Sequence, residues 1–278
     1  MDQNRTDETA SQLASIVAIA VGNSRVQIGH VRSGECHDPS SHAAGEHDEI
    51  AERVRATIER SDEAPAVVIA SVNDDAARRI EETITALDSQ TPVLRLGRDI
   101  PIHINHALSE RGEQTVGQDR LMCAIAAYEQ LGQACVVVDL GTAVTIDFVD
   151  GAGVFHGGAI LPGIRMMLGS MHSGTEALPE LAFTKPDPDT LEPGRQTDEA
   201  MMLGVSAAVR GAVRLLAERY AEYYGAYPVI IATGGDLGVL EGDELVESLV
   251  PDLQLLGIHA ACNRAVRESD EAEHPDDD

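Results

Sequence analysis

Short apolar runs alternate along this chain with stretches whose apolar residues recur at helical spacing. The apolar runs predict strands on both sides of Gly22 within residues 15–31, and again at residues 66–72, 93–96, 134–140, 144–149, 154–160 and 229–232. Helical spacing predicts helices over residues 49–60, 75–87 and 198–224, and Asp119 is the predicted N-cap of a further helix. Strands that alternate with helices in this way are typical of an α/β protein.

One strand–turn–strand pattern occurs twice. Ala20 precedes Gly22 by two residues at the end of an apolar strand, and Asp139 precedes Gly141 in the same way about one domain length later. Two unrelated hairpins would show the same pattern, but it also fits an architecture in which two such turns grip the phosphates of one nucleotide across a cleft. The polar segment 105–115 then predicts a boundary between domains at residues 15–115 and 116–266. Residues 1–14 and the acidic end, 267–278, are predicted to be disordered tails.

Composition narrows the function classes. Hydrophobic residues make up 43% and aromatic residues 3% of the chain, so the core must consist of Ala, Val, Leu and Ile, as in buried parallel strands. A net charge of −27 argues against nucleic acid or an anionic membrane as a partner. The four cysteines lack CxxC spacing, which favours reduced thiols over disulfides or a zinc site. The polar start and the strand-length apolar runs predict a soluble cytoplasmic protein without a membrane span.

The second hairpin turn carries candidate phosphate chemistry. A strand delivers the Asp139 carboxylate to its end, Gly141 allows a phosphate to approach the backbone, and Thr142 offers a hydroxyl and an N–H to an anion. An ordinary glycine-containing hairpin accounts for the same residues. Glycines at residues 157–163 fit either a closely approaching ligand or a packed helix. The segment 233–236, at a predicted strand end, fits either passage under an adenine or ribose or a simple strand-to-turn transition.

The segment 117–120, Gly-Gln-Asp-Arg, places a carboxylate beside a guanidinium at a predicted helix start. The positive end of a helix favours an anion there, and Asp119 could accept a proton from a substrate hydroxyl. An N-capping Asp followed by a solvent-exposed Arg is the alternative interpretation.

Taken in order, these motifs closely resemble the type III pantothenate kinases of the actin-like, sugar-kinase-like superfamily. The matching segments are residues 117–120, 139–147, 157–163, 178–179, 197–204 and 233–235. The resemblance covers roughly residues 16–257 and is most specific over residues 117–179. It implies an α/β fold of two actin-like (ribonuclease-H-like) domains with a nucleotide cleft between them.

The resemblance also implies an activity. Family members phosphorylate pantothenate with ATP to 4′-phosphopantothenate, the first step of coenzyme A biosynthesis. They act as homodimers and require Mg²⁺ and a monovalent cation, K⁺ or NH₄⁺. Carried over, Asp119 is the general base and Asp139 binds the monovalent cation. The substrate contacts are Gly117, Gln118, Asp119, Arg120 and Thr197, and the ATP contacts are Gly22, Asn23, Ser24 and Thr142.

The chain departs from the family pattern in its first half. Ala20 stands where the family has an aspartate, and Gln27 where it has Lys or Arg, which removes a metal contact and a positive charge near the phosphates. Glu110 stands where a tyrosine contacts pantothenate, and an acid there would repel a carboxylate substrate. Three hypotheses follow: an active kinase with a modified ATP loop, a degenerate member that binds without turnover, or a kinase for another small hydroxylated substrate.

Overall fold

The computed structural model describes residues 15–61, 65–185 and 192–273. The chain forms two compact units. Unit 1 contains the residues up to His103 together with those from Ile258 onward, and unit 2 contains residues 104–257. The predicted N-terminal tail, residues 1–14, lies outside the described residues.

Unit 1 is a five-stranded mixed sheet covered by two helices. Its elements are β1 (Ser15–Val21), β2 (Arg25–Arg32), β3 (Glu35–Ala43), α1 (His47–Glu59), β4 (Ala66–Ser71), α2 (Asp74–Leu87) and β5 (Val93–Arg95). The strand order is β3-β2-β1-β4-β5, with β1 antiparallel to β2 and parallel to β4. The apolar faces of both helices, including Val54 and Ile80, pack with strand residues in one buried core.

Unit 2 is built in the same way. Its elements are α3 (Glu110–Thr115), α4 (Gln118–Leu131), β6 (Cys135–Leu140), β7 (Ala143–Val149), β8 (Phe155–Pro162), α5 (Ile164–Ser173), α6 (Thr197–Tyr224), β9 (Val229–Thr233), a 3₁₀ turn (Leu237–Val239), β10 (Ser248–Leu249) and the start of α7 (Leu253–Glu273). The strand order is β10-β9-β6-β7-β8, with β6 antiparallel to β7 and parallel to β9.

The two sheets therefore share one topology, in which the first strand lies at the centre between an antiparallel hairpin and two parallel strands. This is the ribonuclease-H-like arrangement, so the prediction of two actin-like α/β domains is confirmed. The suspected sequence repeat is also real, because β1 with Ala20 and β6 with Asp139 occupy corresponding places. The nucleotide cleft stays a prediction.

The units divide at a different place from the predicted domain boundary. The polar segment 105–115, predicted to close the first domain, belongs to unit 2, because its backbone pairs with β8. Phe155 N–H donates to Asn105 O at 2.8 Å, and Ala107 N–H donates to Phe155 O at 2.9 Å. The same segment contains the short helix α3, which the polar composition did not predict.

The acidic end is also more ordered than its composition predicts. Helix α7 continues to Glu273, so the predicted disordered tail from residue 267 is wrong for its first residues. The helix is anchored by buried apolar residues such as Ile258 and Cys262, and Glu268 lies 2.6 Å from His103 as an ion-pair partner. Both contacts belong to unit 1, which explains why the helix groups with that unit.

Helix α6 corrects the expectation that every apolar run is strand-length. It has 28 residues, and an 18-residue window within it reaches a mean hydropathy of 1.5, enough by length and composition alone to cross a membrane. Its regularly spaced residues Met201, Val205, Val209 and Val213 are buried in the core of unit 2. We therefore interpret α6 as a core helix, which ends at Gly225 with φ +83°.

The cysteines are free thiols, as predicted. Cys36 is half-buried, whereas Cys123, Cys135 and Cys262 are buried. Burial raises the pKa of both Cys135 and Cys262 to about 12, so these thiols stay protonated and unreactive.

Candidate active site in unit 2

The second hairpin turn is held in place by close backbone contacts. Gly141 N–H donates to Ala143 O at 3.1 Å, and Gly163 N–H, at the start of α5, donates to Thr142 O at 3.1 Å. A Cβ on Gly163 would lie 2.3 Å from Thr142 O and 2.5 Å from Gly141 O, so only glycine lets α5 begin directly against the turn. The exposed Thr142 is thus presented on a fixed backbone.

Asp139 lies one residue before the end of β6, between Thr145 on β7 and Thr233 on β9. Gly234, with φ +103°, completes its surroundings, because a Cβ there would lie 2.6 Å from Asp139 Oδ1. Of the glycines noted in the sequence, Gly163 and Gly234 therefore serve close packing around the Asp139 turn, whereas Gly158 packs against Asp147.

Helix α4 places the second candidate carboxylate. Its N-cap is Gly117, not Asp119 as predicted, and the helix starts at Gln118. Asp119 lies in the first turn, where Oδ1 accepts a hydrogen bond from Arg120 N–H at 2.8 Å. The first turn carries the positive end of the helix dipole, and its backbone N–H groups point toward the helix start.

Arg120 points into unit 2 and binds a buried carboxylate. Its Nε donates to Asp147 Oδ2 at 3.0 Å, and its Nη2 bonds to Asp147 Oδ1. Asp147 is 2% exposed, and the guanidinium carbon of Arg120 lies 5.7 Å from the centre of the Phe155 ring. Withdrawal from water raises the pKa of Asp147, and the Arg120 guanidinium opposes that rise.

Three carboxylates thus influence one another in unit 2. Withdrawal from water, reinforced by the charges of Asp119 and Asp147, raises the pKa of Asp139 to about 7. A cation bound at Asp139 would relieve this unfavourable charge, because an opposite charge favours the ionised form. A half-buried carboxylate at a strand end offers the oxygen ligands that Mg²⁺ prefers.

The first hairpin, in unit 1, lacks such a carboxylate. Ala20 is 2% exposed and pairs with Gln27 on β2 and with Ala70 on β4. Ala20 and Gln27, the two hairpin positions that differ from the expected family pattern, are therefore direct neighbours across the hairpin. The turn itself keeps its shape: Gly22 N–H donates to Arg25 O at 2.9 Å, and Ser24 O accepts from Ala44 N–H at 3.1 Å. Asn23 and Ser24 are exposed.

The other predicted site residues are less closely connected. Thr197 is the first residue of α6 and is exposed, in a helix start held by a capping box of Gln196 and Glu199. Among the described residues it makes no hydrogen bond to Asp119 or Asp139. Glu110 is exposed at the start of α3.

Sequence reasoning missed the partnership of Arg120 and Asp147. The available signal was the alternation in β7, where Thr145 and Asp147 are polar positions on a strand of apolar residues. Both turn out to be buried.

Comparison with known proteins identifies the family. Residues 16–219 match the family model for type III pantothenate kinase. The type III pantothenate kinase of Rhodopirellula baltica is 40% identical over 200 residues, which cover 69% of each chain. The type III pantothenate kinases of Gluconobacter oxydans and Fervidobacterium nodosum are each 37% identical; their aligned segments cover 54% and 52% of this chain, and 54% and 55% of the relatives.

A solved structure supports the fold alone. It is a Campylobacter jejuni protein described as a Baf family transcriptional activator, with a TM-score of 0.51 and 17% identity over 94% of this chain and 99% of that one. With the matching family model and relatives, the conclusion is direct: the chain belongs to the type III pantothenate kinase family.

Proposed function

We propose that this chain transfers the γ-phosphoryl group of ATP to the primary hydroxyl of pantothenate, giving 4′-phosphopantothenate for coenzyme A biosynthesis. The observation that carries the proposal is the pairing, within one unit of a family member, of Asp119 in the first turn of α4 with Asp139 at the end of β6. Phosphoryl transfer depends mainly on positioning and charge neutralisation, which these elements supply.

Asp119 acts as the general base. Its Oδ1 is fixed by Arg120 N–H, and its other oxygen has no protein donor among the described residues. That oxygen can take the proton of the substrate hydroxyl as the hydroxyl attacks phosphorus in line. Gly117, Gln118 and Arg120 would line the substrate at this helix start, with Thr197 as a further pantothenate contact.

The ATP phosphates and cations are assigned to the hairpin turns. Gly22, Asn23 and Ser24 in the first hairpin turn are proposed as ATP contacts, and Thr142 in the second as a phosphate contact. Asp139 would hold the monovalent cation, K⁺ or NH₄⁺, whose charge offsets that of the phosphates when bound. Mg²⁺ accompanies ATP, and the hairpin strands retain two acids for it, Asp139 and Asp147, since Ala20 offers none. Asp147 is bound by Arg120, which favours Asp139 as the metal ligand.

The two other hypotheses have weaker support. Curated relatives are named as kinases, whereas a member without turnover is suggested by Ala20, Gln27 and Glu110 alone. A different hydroxylated substrate was suggested by Glu110, whose exposed side chain makes no hydrogen bond or ion pair with the described residues. A panel of hydroxylated acids in the assay below tests that option.

Assembly and location complete the proposal. We expect a cytoplasmic homodimer, as the family resemblance implies. Helix α6 offers a surface for such a dimer, because four small or apolar residues at four-residue spacing form an exposed face: Leu203, Ala207, Gly211 and Leu215. Light scattering should then give twice the chain mass of 29.6 kDa.

The decisive experiment measures ADP release that depends on pantothenate, Mg²⁺ and K⁺, with mass spectrometry of the product. We expect the wild type to be active and Asp119→Asn to lose about a hundredfold or more in kcat, in line with the loss of a general base. Lack of wild-type turnover at high ATP and protein concentration, with another family member active in parallel, would refute the kinase assignment.

A further inference from the structure

The Arg120–Asp147 pair joins the start of α4 to the middle of β7. Both bonded nitrogens of the guanidinium, Nε and Nη2, are directed to the Asp147 carboxylate. The Arg120 side chain is only 14% exposed, so it is more a buried anchor than a group extended toward solvent. A two-point contact of this kind fixes the plane as well as the position of the guanidinium.

Asp147 is itself held rigidly. It pairs with Val137 on β6 and with Gly158 on β8. A Cβ on Gly158 would lie 2.6 Å from Asp147 Oδ1 and 2.1 Å from Ile146 O. Because Gly158 has no side chain, the Asp147 carboxylate has room to lie beside it.

Arg120 connects the buried Asp147 carboxylate to Asp119, the proposed base. Arg120 uses its side chain to bind Asp147 and its backbone N–H to bind Asp119 Oδ1. Arg120 therefore links the buried Asp147 carboxylate to the N–H that orients Asp119. The charge of Arg120 is already balanced by Asp147, which leaves less of it to attract an anionic substrate.

We propose that Asp147 is a positioning residue, which acts through Arg120 to hold the first turn of α4 and the Asp119 carboxylate in the geometry needed for proton transfer. This inference rests on the proposed function. It assigns Arg120 a role as an anchor for the base rather than as the main grip on the substrate carboxylate. Asp147 accordingly acts on the chemical step and leaves pantothenate binding largely unchanged.

The test compares Asp147→Asn with the wild type. We expect kcat to fall about tenfold to a hundredfold, as for a small misplacement of a catalytic group, with KM for pantothenate and its calorimetric Kd changed less than about threefold. In an Asp119→Asn background, Asp147→Asn should have no further effect on kcat, because no base remains to be positioned. Tyr224→Phe is the matched control, since it removes a hydroxyl of unit 2 that accepts a hydrogen bond from Gly151 N–H at 3.2 Å, two residues after the end of β7.

A second variant covers the case in which Asp147→Asn does not fold. Arg120→Lys keeps the positive charge but loses the planar fork, and should give the same fall in kcat with an unchanged Kd. A rise in Kd with kcat preserved in either variant would overturn the positioning role, as would an unchanged kcat. Absence of turnover in the wild type would instead refute the proposed function, and this inference with it.

Discussion

The Asp139 carboxylate is predicted to destabilise the cation-free protein, so removing its charge should stabilise the fold while impairing activity. Its pKa rises from an ordinary value of 3.8 to about 7 in the folded state. The folded protein therefore holds a proton that the unfolded chain has already lost, and stability falls as pH rises from about 4 to about 7. Above about pH 7 the folded protein carries the full loss of stability that the ionised Asp139 causes.

The magnitude follows from the same values. A pKa difference of about three, at 1.36 kcal/mol for each, sets an upper limit of about 4 kcal/mol. We expect about half of that, ~2 kcal/mol, because Asp139 is only half-buried and retains some contact with water. For a chain of this size, ~2 kcal/mol corresponds to an increase in Tm of about 4–8 °C.

The assay is thermal unfolding of wild type and Asp139→Asn in buffer without K⁺, NH₄⁺ or Mg²⁺. The variant should have the higher Tm at about pH 8 and the same Tm at about pH 4, where the wild-type carboxyl is protonated. Glu176→Gln, at an exposed position outside the site, is the control and should show neither change. A variant that is equally or less stable than wild type at the higher pH would refute the electrostatic argument.

Two further predictions concern the hairpin turns. Gly163→Ala should lower kcat/KM for ATP about tenfold to a hundredfold, because the new Cβ would displace the backbone at Thr142, whereas Gly169→Ala on the same helix meets no atom within 4 Å and should leave kinetics unchanged. Ala20→Asp should destabilise the free protein by about 3–5 kcal/mol, as expected for an unpaired buried charge, and thermal unfolding with and without Mg²⁺–ATP should show a larger ligand-induced rise in Tm than in wild type.

Local pattern predicted most elements of the fold. The strands around Gly22 and Gly141, the helices α1, α2 and α6, and the repeat of the hairpin all follow from periodicity and turn residues that lie close together in sequence. The prediction of a disordered acidic tail failed because these charged residues continue helix α7, whose first half is buried and stabilises the whole helix by packing. Composition averages over the two halves and so predicts disorder.

The site was predictable only as far as motifs in sequence order allowed. Asp119, Asp139 and Thr142 were predicted as site residues because each stands at a helix start, a strand end or a hairpin turn. The partnership of Arg120 with Asp147 joins residues 27 positions apart and depends on how α4 packs against β7, which no local pattern encodes. The N-cap was misplaced for a related reason, since Gly117 ends the preceding segment in an extended conformation.

The two hairpins share a backbone but differ in charge, and Ala20→Asp decides what that difference means. Asp139 lies between two threonines, whereas Ala20 lies between Gln27 and Ala70, so the first hairpin has lost the acid and also the residue opposite that would balance it. If the second hairpin alone binds the cations, the absence of both the acid and its opposite base from the first hairpin is expected. Ala20→Asp should then show a larger Mg²⁺–ATP-induced rise in Tm than the wild type and little change in kcat. A large gain in kcat would show instead that the native first hairpin limits turnover, and would refute the view that Asp139 suffices.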